Sequence, residues 1–157
     1  MKVREIMTQD PACCTPETSV QDVARMMVDC DCGQIPVVDD LKTRRPLGVV
    51  TDRDIVCRSV ARGTAPSALM ARDVMSTPAI TVTPESPIEE CCRLLEEKRV
   101  RRAPVIDDHG RCCGIVALAD IAHHAPDRIT VEVIRTVSQR PTGTRSTASN
   151  PGGAIRA

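Results

Sequence analysis

Ile35-Pro36-Val37-Val38-Asp39 leading to Gly48-Val49-Val50-Thr51-Asp52-Arg53-Asp54 is the stretch that decides the fold, because the chain contains it twice. The second copy is Ala103-Pro104-Val105-Ile106-Asp107 leading to Gly114-Ile115-Val116-Ala117-Leu118-Ala119-Asp120. Each copy is a pair of short β-branched runs separated by a turn, with an acidic residue just beyond the second run. That pattern predicts two neighbouring strands running into a helix.

Working outward, the repeat extends to the start of the chain. Val3-Arg4-Glu5-Ile6-Met7-Thr8 matches Ala71-Arg72-Asp73-Val74-Met75-Ser76 at an offset of 68 residues, and Thr15-Pro16-Glu17 matches Thr83-Pro84-Glu85 in the same register. Past residues 40–46 the offset falls to 66, so two residues were gained or lost in a turn, where loops tolerate it. Each Thr-Pro-Glu reads as a helix start. Apolar residues then recur at Val20, Val23, Ala24 and Met27, and at Ile88, Cys91, Cys92 and Leu95, the spacing of one buried helical face. The predicted strands are 35–38 with 47–51, and 103–106 with 113–117. Second helices are expected over about 52–62 and 119–124.

These signals divide the chain into a first repeat over 1–62, a linker over 63–70, a second repeat over 71–125, a C-terminal helix over 126–137 and a disordered tail over 138–157. The helix rests on Pro126 in its first turn and on Val133, Ile134 and Val137 sharing a face. The tail is Ser, Thr, Pro and Gly with three arginines and no acidic residue. The fold class is α+β.

Composition narrows the function. The 157 residues carry 21 basic and 21 acidic side chains, for a formal net charge of zero, and contain no Phe, Tyr or Trp. No global field draws the protein to nucleic acid or to an anionic membrane, and no Phe, Tyr or Trp ring is present on which bases could stack. The longest uncharged apolar run, Cys112–Ala119, is too short to span a bilayer. Charges recur from Lys2 onward, unlike a secretory signal, so a cytoplasmic location is expected.

The repeated strand pair, with Ile35-Pro36-Val37-Val38-Asp39 ahead of Gly48-Val49-Val50-Thr51-Asp52-Arg53-Asp54, resembles the CBS-domain pair from about Val3 to His124. The resemblance implies two β-α-β-β-α units packed through their sheets, and a regulatory module whose two clefts bind AMP, ATP, other adenosine derivatives or nothing. It also implies a homodimer, in which two pairs form a flat disc, and an unidentified downstream protein partner. No cofactor is required, and neither nucleic acid nor membrane is an expected partner.

The family signature is Thr or Ser, two residues, then Asp. A Thr at a strand end and an Asp in the first turn of the next helix lie together at a helix N-terminus, whose free N–H groups suit a phosphate. A carboxylate there can accept from ribose hydroxyls. By resemblance, Thr51 faces the phosphate and Asp54 the ribose, while backbone around Ile35, Pro36 and Val37 reads the adenine edge. The alternative for Thr51 and Asp54 is a capping box that only starts a helix. In the second unit Ala117 replaces the threonine and Asp120 is retained. Arg101 and Arg102, ahead of Pro104, are phosphate-binding candidates or solvated surface groups, and Arg53 carries the same two readings.

Nine cysteines raise a metal or disulfide reading, but no Cys-x-x-Cys occurs. Cys14, Cys91, Cys92 and Cys113 align with Val82, Val23, Ala24 and Leu47, which predicts small core hydrophobes. Cys13, Cys30, Cys57 and Cys112 lack that explanation and are expected as exposed thiols, free in a reducing compartment. Three functions remain: an adenosine-nucleotide sensor, a dimerising scaffold with empty clefts, and a redox or metal-linked stress protein, with Cys57 and His123-His124 as the first place to look. No nucleophile–base pair, phosphate loop or metal motif suggests an enzyme.

Overall fold

The computed structural model describes residues 1–124 together with 130, 131, 134 and 135. The expected tail over 138–157 lies outside these residues. So does most of the expected C-terminal helix, of which Thr130, Val131, Ile134 and Arg135 are helical.

The elements are β1 (Thr8–Gln9), α1 (Val20–Asp29), β2 (Gln34–Val38), β3 (Pro46–Thr51), α2 (Asp52–Arg58), α3 (Ala71–Val74), α4 (Ile88–Lys98), β4 (Arg102–Ile106), β5 (Cys112–Ala117) and α5 (Leu118–His124). The architecture is α+β, built on two antiparallel strand pairs, β2–β3 and β4–β5, each followed by a helix. In register, Gln34 faces Thr51 and Arg102 faces Ala117. Each pair therefore brings the start of its first strand to the same end as the start of its following helix.

The long helices follow their apolar stripes: Val20, Val23 and Met27 of α1 and Ile88, Cys91, Cys92 and Leu95 of α4 are buried. They begin later than the sequence suggested. Thr15-Pro16-Glu17 forms a turn, with Thr18 N donating to the Thr15 carbonyl at 3.0 Å, and α1 starts only at Val20. Ser19, in extended conformation, is the cap that accepts from Asp22 N. Pro87 stands at the corresponding place before α4. The second helix of the first repeat also ends earlier, at Arg58, followed by a short 3-10 turn over Val60–Arg62.

The two cores exchange their opening segments. Val3 and Ile6 pack with Ile88, Leu95, Val116 and Ile121, while Ala71 and Val74 pack with Val20, Val23, Val37 and Val50. Accordingly β1 pairs with β5, and Ser76 exchanges two backbone hydrogen bonds with Val49, at 2.8 and 3.0 Å. The segment that opens each repeat in sequence thus completes the sheet and core of the other. Neither repeat encloses its core alone, which is how units of this size bury enough apolar surface.

The glycines of the repeated stretch make this crossing possible. A side chain at Gly48 would meet the Ser76 carbonyl oxygen at 2.5 Å, and one at Gly114 would meet Met7 Sδ at 2.6 Å. Each strand needs a bare backbone where the exchanged segment lies across it.

Three expectations about cysteine are corrected. Cys13, expected to be exposed, is half-buried. Cys112 is 2% exposed, because it occupies an inward position of β5. Cys113 is half-buried and its counterpart Leu47 is exposed, because both sit on the outward face of their strands at that end. Cys14, Cys91 and Cys92 are buried, while Cys30 and Cys57 are exposed.

Candidate functional site

The shared end of the two strand pairs opens into a cleft of about 710 Å³. From the first repeat it is lined by Gly33, Gln34, Val49 and the Thr51–Asp54 turn; from the crossing segment by Ser76, Pro78 and Ile80; and from the second repeat by Arg99–Arg102, Pro104 and Ala117–Ala119. One volume therefore touches both repeats and the segment that links them.

At its centre, Thr51 and Asp54 form a complete capping box. Asp54 N donates to Thr51 Oγ1 at 3.0 Å, and Thr51 N donates to Asp54 Oδ2 at 2.9 Å. Asp54 Oδ1 accepts from Ser76 Oγ at 3.2 Å and lies 3.6 Å from Arg58 Nη2. An ionised carboxylate has about four acceptor sites, so roughly one remains for a further partner unless Ser76 turns away. The cap and the capacity to receive a hydroxyl coexist in this residue, but the first already consumes most of it.

In the second repeat only half of this arrangement exists: Ala117 N donates to Asp120 Oδ2 at 2.7 Å, with no hydroxyl to return the bond. Asp120 is not among the residues lining the cleft. Nor are Ile35, Pro36 and Val37: all three are buried, and the Pro36 carbonyl accepts from Cys14 N in the sheet. Strand pairing thus claims the backbone that sequence assigned to the adenine edge. The cleft does bring together Thr51, Arg53, Asp54, Arg101, Arg102 and Pro104.

Two residues outside that set belong to the site. Arg99, at φ 53, is the left-handed residue that ends α4, which turns the chain into the cleft as Val100-Arg101-Arg102. Gln34 is 6% exposed and its Nε2 has no hydrogen-bond partner among the described residues. A buried amide N–H left unpaired costs about 1–3 kcal/mol. Its position opposite Thr51 in the register was the only sequence signal that could have found it. Arg102 reaches back across the cleft, its Nη1 lying 3.4 Å from where a Gly33 side chain would begin and Asp52 Oδ2 lying 3.0 Å from the same point.

Among the described residues, no group of three or more His, Cys, Asp or Glu could hold a metal ion. His123 and His124 are exposed, with ring centroids 6.5 Å apart.

The family model for CBS domains matches residues 3–60 and again 71–127. The chain belongs to the CBS-domain family. The pair is 34% identical over 134 residues to Hypoxic response protein 1 of Mycobacterium tuberculosis, covering 85% of this chain and 92% of that one. It is 32% identical over 126 residues to an uncharacterized protein of Methanopyrus kandleri, covering 80% of this chain but 63% of the longer relative.

Among solved structures, a conserved CBS domain protein of Thermoplasma acidophilum superposes with a TM-score of 0.76 at 26% identity, over 87% of this chain and 75% of that one. Hypoxic Response Protein I, solved with two coordinated zinc ions, gives 0.70 at 35% identity, over 80% of this chain and all of that one. A CBS pair solved with 5-methylthioadenosine and S-adenosylmethionine shares the fold, with a TM-score of 0.70 at 22% identity over 78% of this chain and 98% of that one. No helix among the described residues is long and apolar enough to cross a membrane.

Proposed function

We propose that this CBS pair is a non-catalytic, cytoplasmic regulatory module that binds one adenosine nucleotide, such as AMP or ATP, in the cleft between its repeats. The observation that carries the reading is Gln34: a buried, unpartnered amide donor on the wall of the cleft, opposite Thr51. A ligand acceptor placed there would satisfy it. The cleft volume is that of an ordinary small-molecule site. Four guanidinium groups, Arg53, Arg99, Arg101 and Arg102, against Asp52 and Asp54 favour a ligand that carries phosphate. With no aromatic ring among the residues lining the cleft, the base would lie against Ile80, Pro78 and Pro104.

Binding across both repeats and the crossing segment would fix their relative position, and a partner could read that change. Val28 of α1, Val56 of α2 and Val60 of the turn after it are more than half exposed, apolar surface that a homodimer would cover; a stable monomer in light scattering would contradict that assembly. The specific observation favouring an empty-cleft scaffold is Asp54, whose carboxylate is largely engaged within the protein. Calorimetric titration with AMP, ATP, 5-methylthioadenosine and S-adenosylmethionine separates the two. Saturable binding near one per chain supports the sensor, with the phosphorylated ligands tighter, and heat of dilution alone for all four supports the scaffold.

A further inference from the structure

At the other end of the strand pairs, away from the cleft, three reactive groups from separate stretches of chain meet. They are Cys13 in the segment between β1 and α1, Arg44 in the β2–β3 turn, and Cys112 at the start of β5. Arg44 Nη2 donates to Cys13 Sγ at 3.4 Å and to the Pro11 carbonyl at 2.7 Å, and Arg44 Nη1 is paired with Asp10. The Arg44 carbonyl in turn accepts from Cys112 N at 2.8 Å. One residue therefore fixes the position of both cysteines: the Cys112 thiol, 3.6 Å from the Gly114 carbonyl, lies close enough to Cys13 for each to shift the other's ionisation.

The two thiols differ in access and in charge. Cys13 is half-buried and reachable, whereas Cys112 is 2% exposed. The Cys112 thiol, and then the Arg44 guanidinium, bring Cys13 down to about 7 against the opposing effect of burial. Cys112 is pushed the other way by Cys13 and by burial, and Cys14 next door is raised to about 12 by burial. An accessible thiolate backed by a protected neutral thiol is the arrangement of an attacking and a resolving cysteine. The repeat does not account for them, since Thr81 and Pro46 occupy the corresponding positions.

We propose that Cys13 and Cys112 form a peroxide-responsive dithiol whose disulfide fastens the first repeat to the second. The Cys13 thiolate attacks one oxygen of a hydroperoxide, the O–O bond breaks, and Cys13 becomes a sulfenic acid as water or alcohol leaves. Cys112 then attacks the Cys13 sulfur, the S–S bond forms, and the sulfenic oxygen leaves as water with the Cys112 proton. Two thiols are oxidised and one peroxide is reduced. Because Cys14 is hydrogen-bonded into β2 through Pro36 and Val38, the bond ties the edge of β2 to β5 across the two repeats.

A thiol at about 7 is half ionised at neutral pH, but its lower intrinsic nucleophilicity leaves a rate gain of less than about tenfold over a free thiol. The linkage formed is therefore the decisive readout, more than the rate. Reduced full-length protein is treated with one equivalent of hydrogen peroxide, blocked with N-ethylmaleimide, digested without reduction and mapped by fragmentation that separates Cys13 from Cys14 and Cys112 from Cys113. The expected product is a Cys13–Cys112 link with two hydrogens lost, and a Tm raised by about 5–10 °C, as expected for closing so long a loop.

Cys13→Ser should abolish both changes, Cys112→Ser should leave a sulfenic acid on Cys13 that dimedone traps, and Arg44→Met should slow linking severalfold. Absence of the link in the wild type would overturn the proposal, as would its persistence through Cys14 in Cys13→Ser or an unchanged linking rate in Arg44→Met. Should Cys112→Ser fail to fold, the two variants at the more exposed positions decide the question.

Discussion

Gly48 lies directly beneath Ser76: a side-chain carbon at 48 would stand 2.5 Å from the Ser76 carbonyl oxygen, a rigid backbone atom. The same Ser76 donates its hydroxyl to Asp54, so the segment that crosses between repeats is pinned both to the sheet and to the candidate site. Gly48→Ala should push that segment away and cost about 1–3 kcal/mol. Gly114→Ala should cost less, since its nearest obstacle is the flexible end of Met7, though the Thr8 carbonyl at 3.1 Å still crowds it. Urea unfolding of both variants checks the order. Equal losses would mean that the crossing segment adapts freely.

Gln34 separates binding from stability by sign. Gln34→Leu removes a buried amide whose Nε2 has no partner, so the free protein should become as stable or more stable. Adenosine-ligand affinity should fall at least severalfold, because the same donor is lost to the ligand. Parallel melts and titrations test this. A destabilised variant with undiminished affinity would show that Gln34 serves the fold alone.

The two aspartates should not be equivalent. Asp54 lines the cleft beside the Thr51 hydroxyl, whereas Asp120 stands beside Ala117 and outside the cleft lining. Asp54→Ala should weaken nucleotide binding more than Asp120→Ala does, by up to about tenfold for each lost hydrogen bond. It should also cost about 1 kcal/mol of stability through the lost cap. Titration at a temperature where both variants are fully folded isolates the binding effect. A larger loss at Asp120 would reverse the ranking.

Thiol ionisation gives the reduced protein a pH signature. Cys13 is depressed to about 7 from an ordinary 9.0, so the stability it contributes is complete above about 9 and is lost as pH falls through 7. Cys14 and Cys91 are raised to about 12 by burial, so theirs is present below 9 and lost as pH rises towards 12. Under reducing conditions the free energy of unfolding should climb between pH 7 and 9, by about 1 kcal/mol after allowance for solvent screening, and fall above that. Cys13→Ser should lose the climb and keep the fall. The same climb in Cys13→Ser would assign it elsewhere.

Period and register made most of the fold legible in the sequence. The β-branched runs sit within one residue of the strands they announced, and the apolar stripes at Val20 and Ile88 are the buried faces of α1 and α4. The exchange of opening segments was not legible, because Val3–Thr8 aligns with Ala71–Ser76 whichever repeat each packs against. Thr51 and Asp54 could be placed from their spacing. Gln34 could not, since an unpaired amide is a property of what surrounds it. Cys13 and Cys112 stood out as cysteines that the repeat does not explain, although Cys112 proved to be buried, and their meeting at Arg44 depends on three distant stretches that only the exchanged fold brings together.

Equilibrium dialysis tests the central claim most directly, and the composition supplies the detector. A chain without Trp or Tyr absorbs almost nothing near 280 nm, so a bound adenine dominates the near-ultraviolet spectrum around 260 nm. Protein dialysed at about 10 µM against AMP or ATP at the same concentration should enrich the nucleotide on its own side towards one per chain, as a Kd near 1 µM or tighter requires. Equal absorbance at 260 nm on the two sides, for AMP, ATP, 5-methylthioadenosine and S-adenosylmethionine alike, would contradict the sensor account and leave a scaffold with an empty cleft.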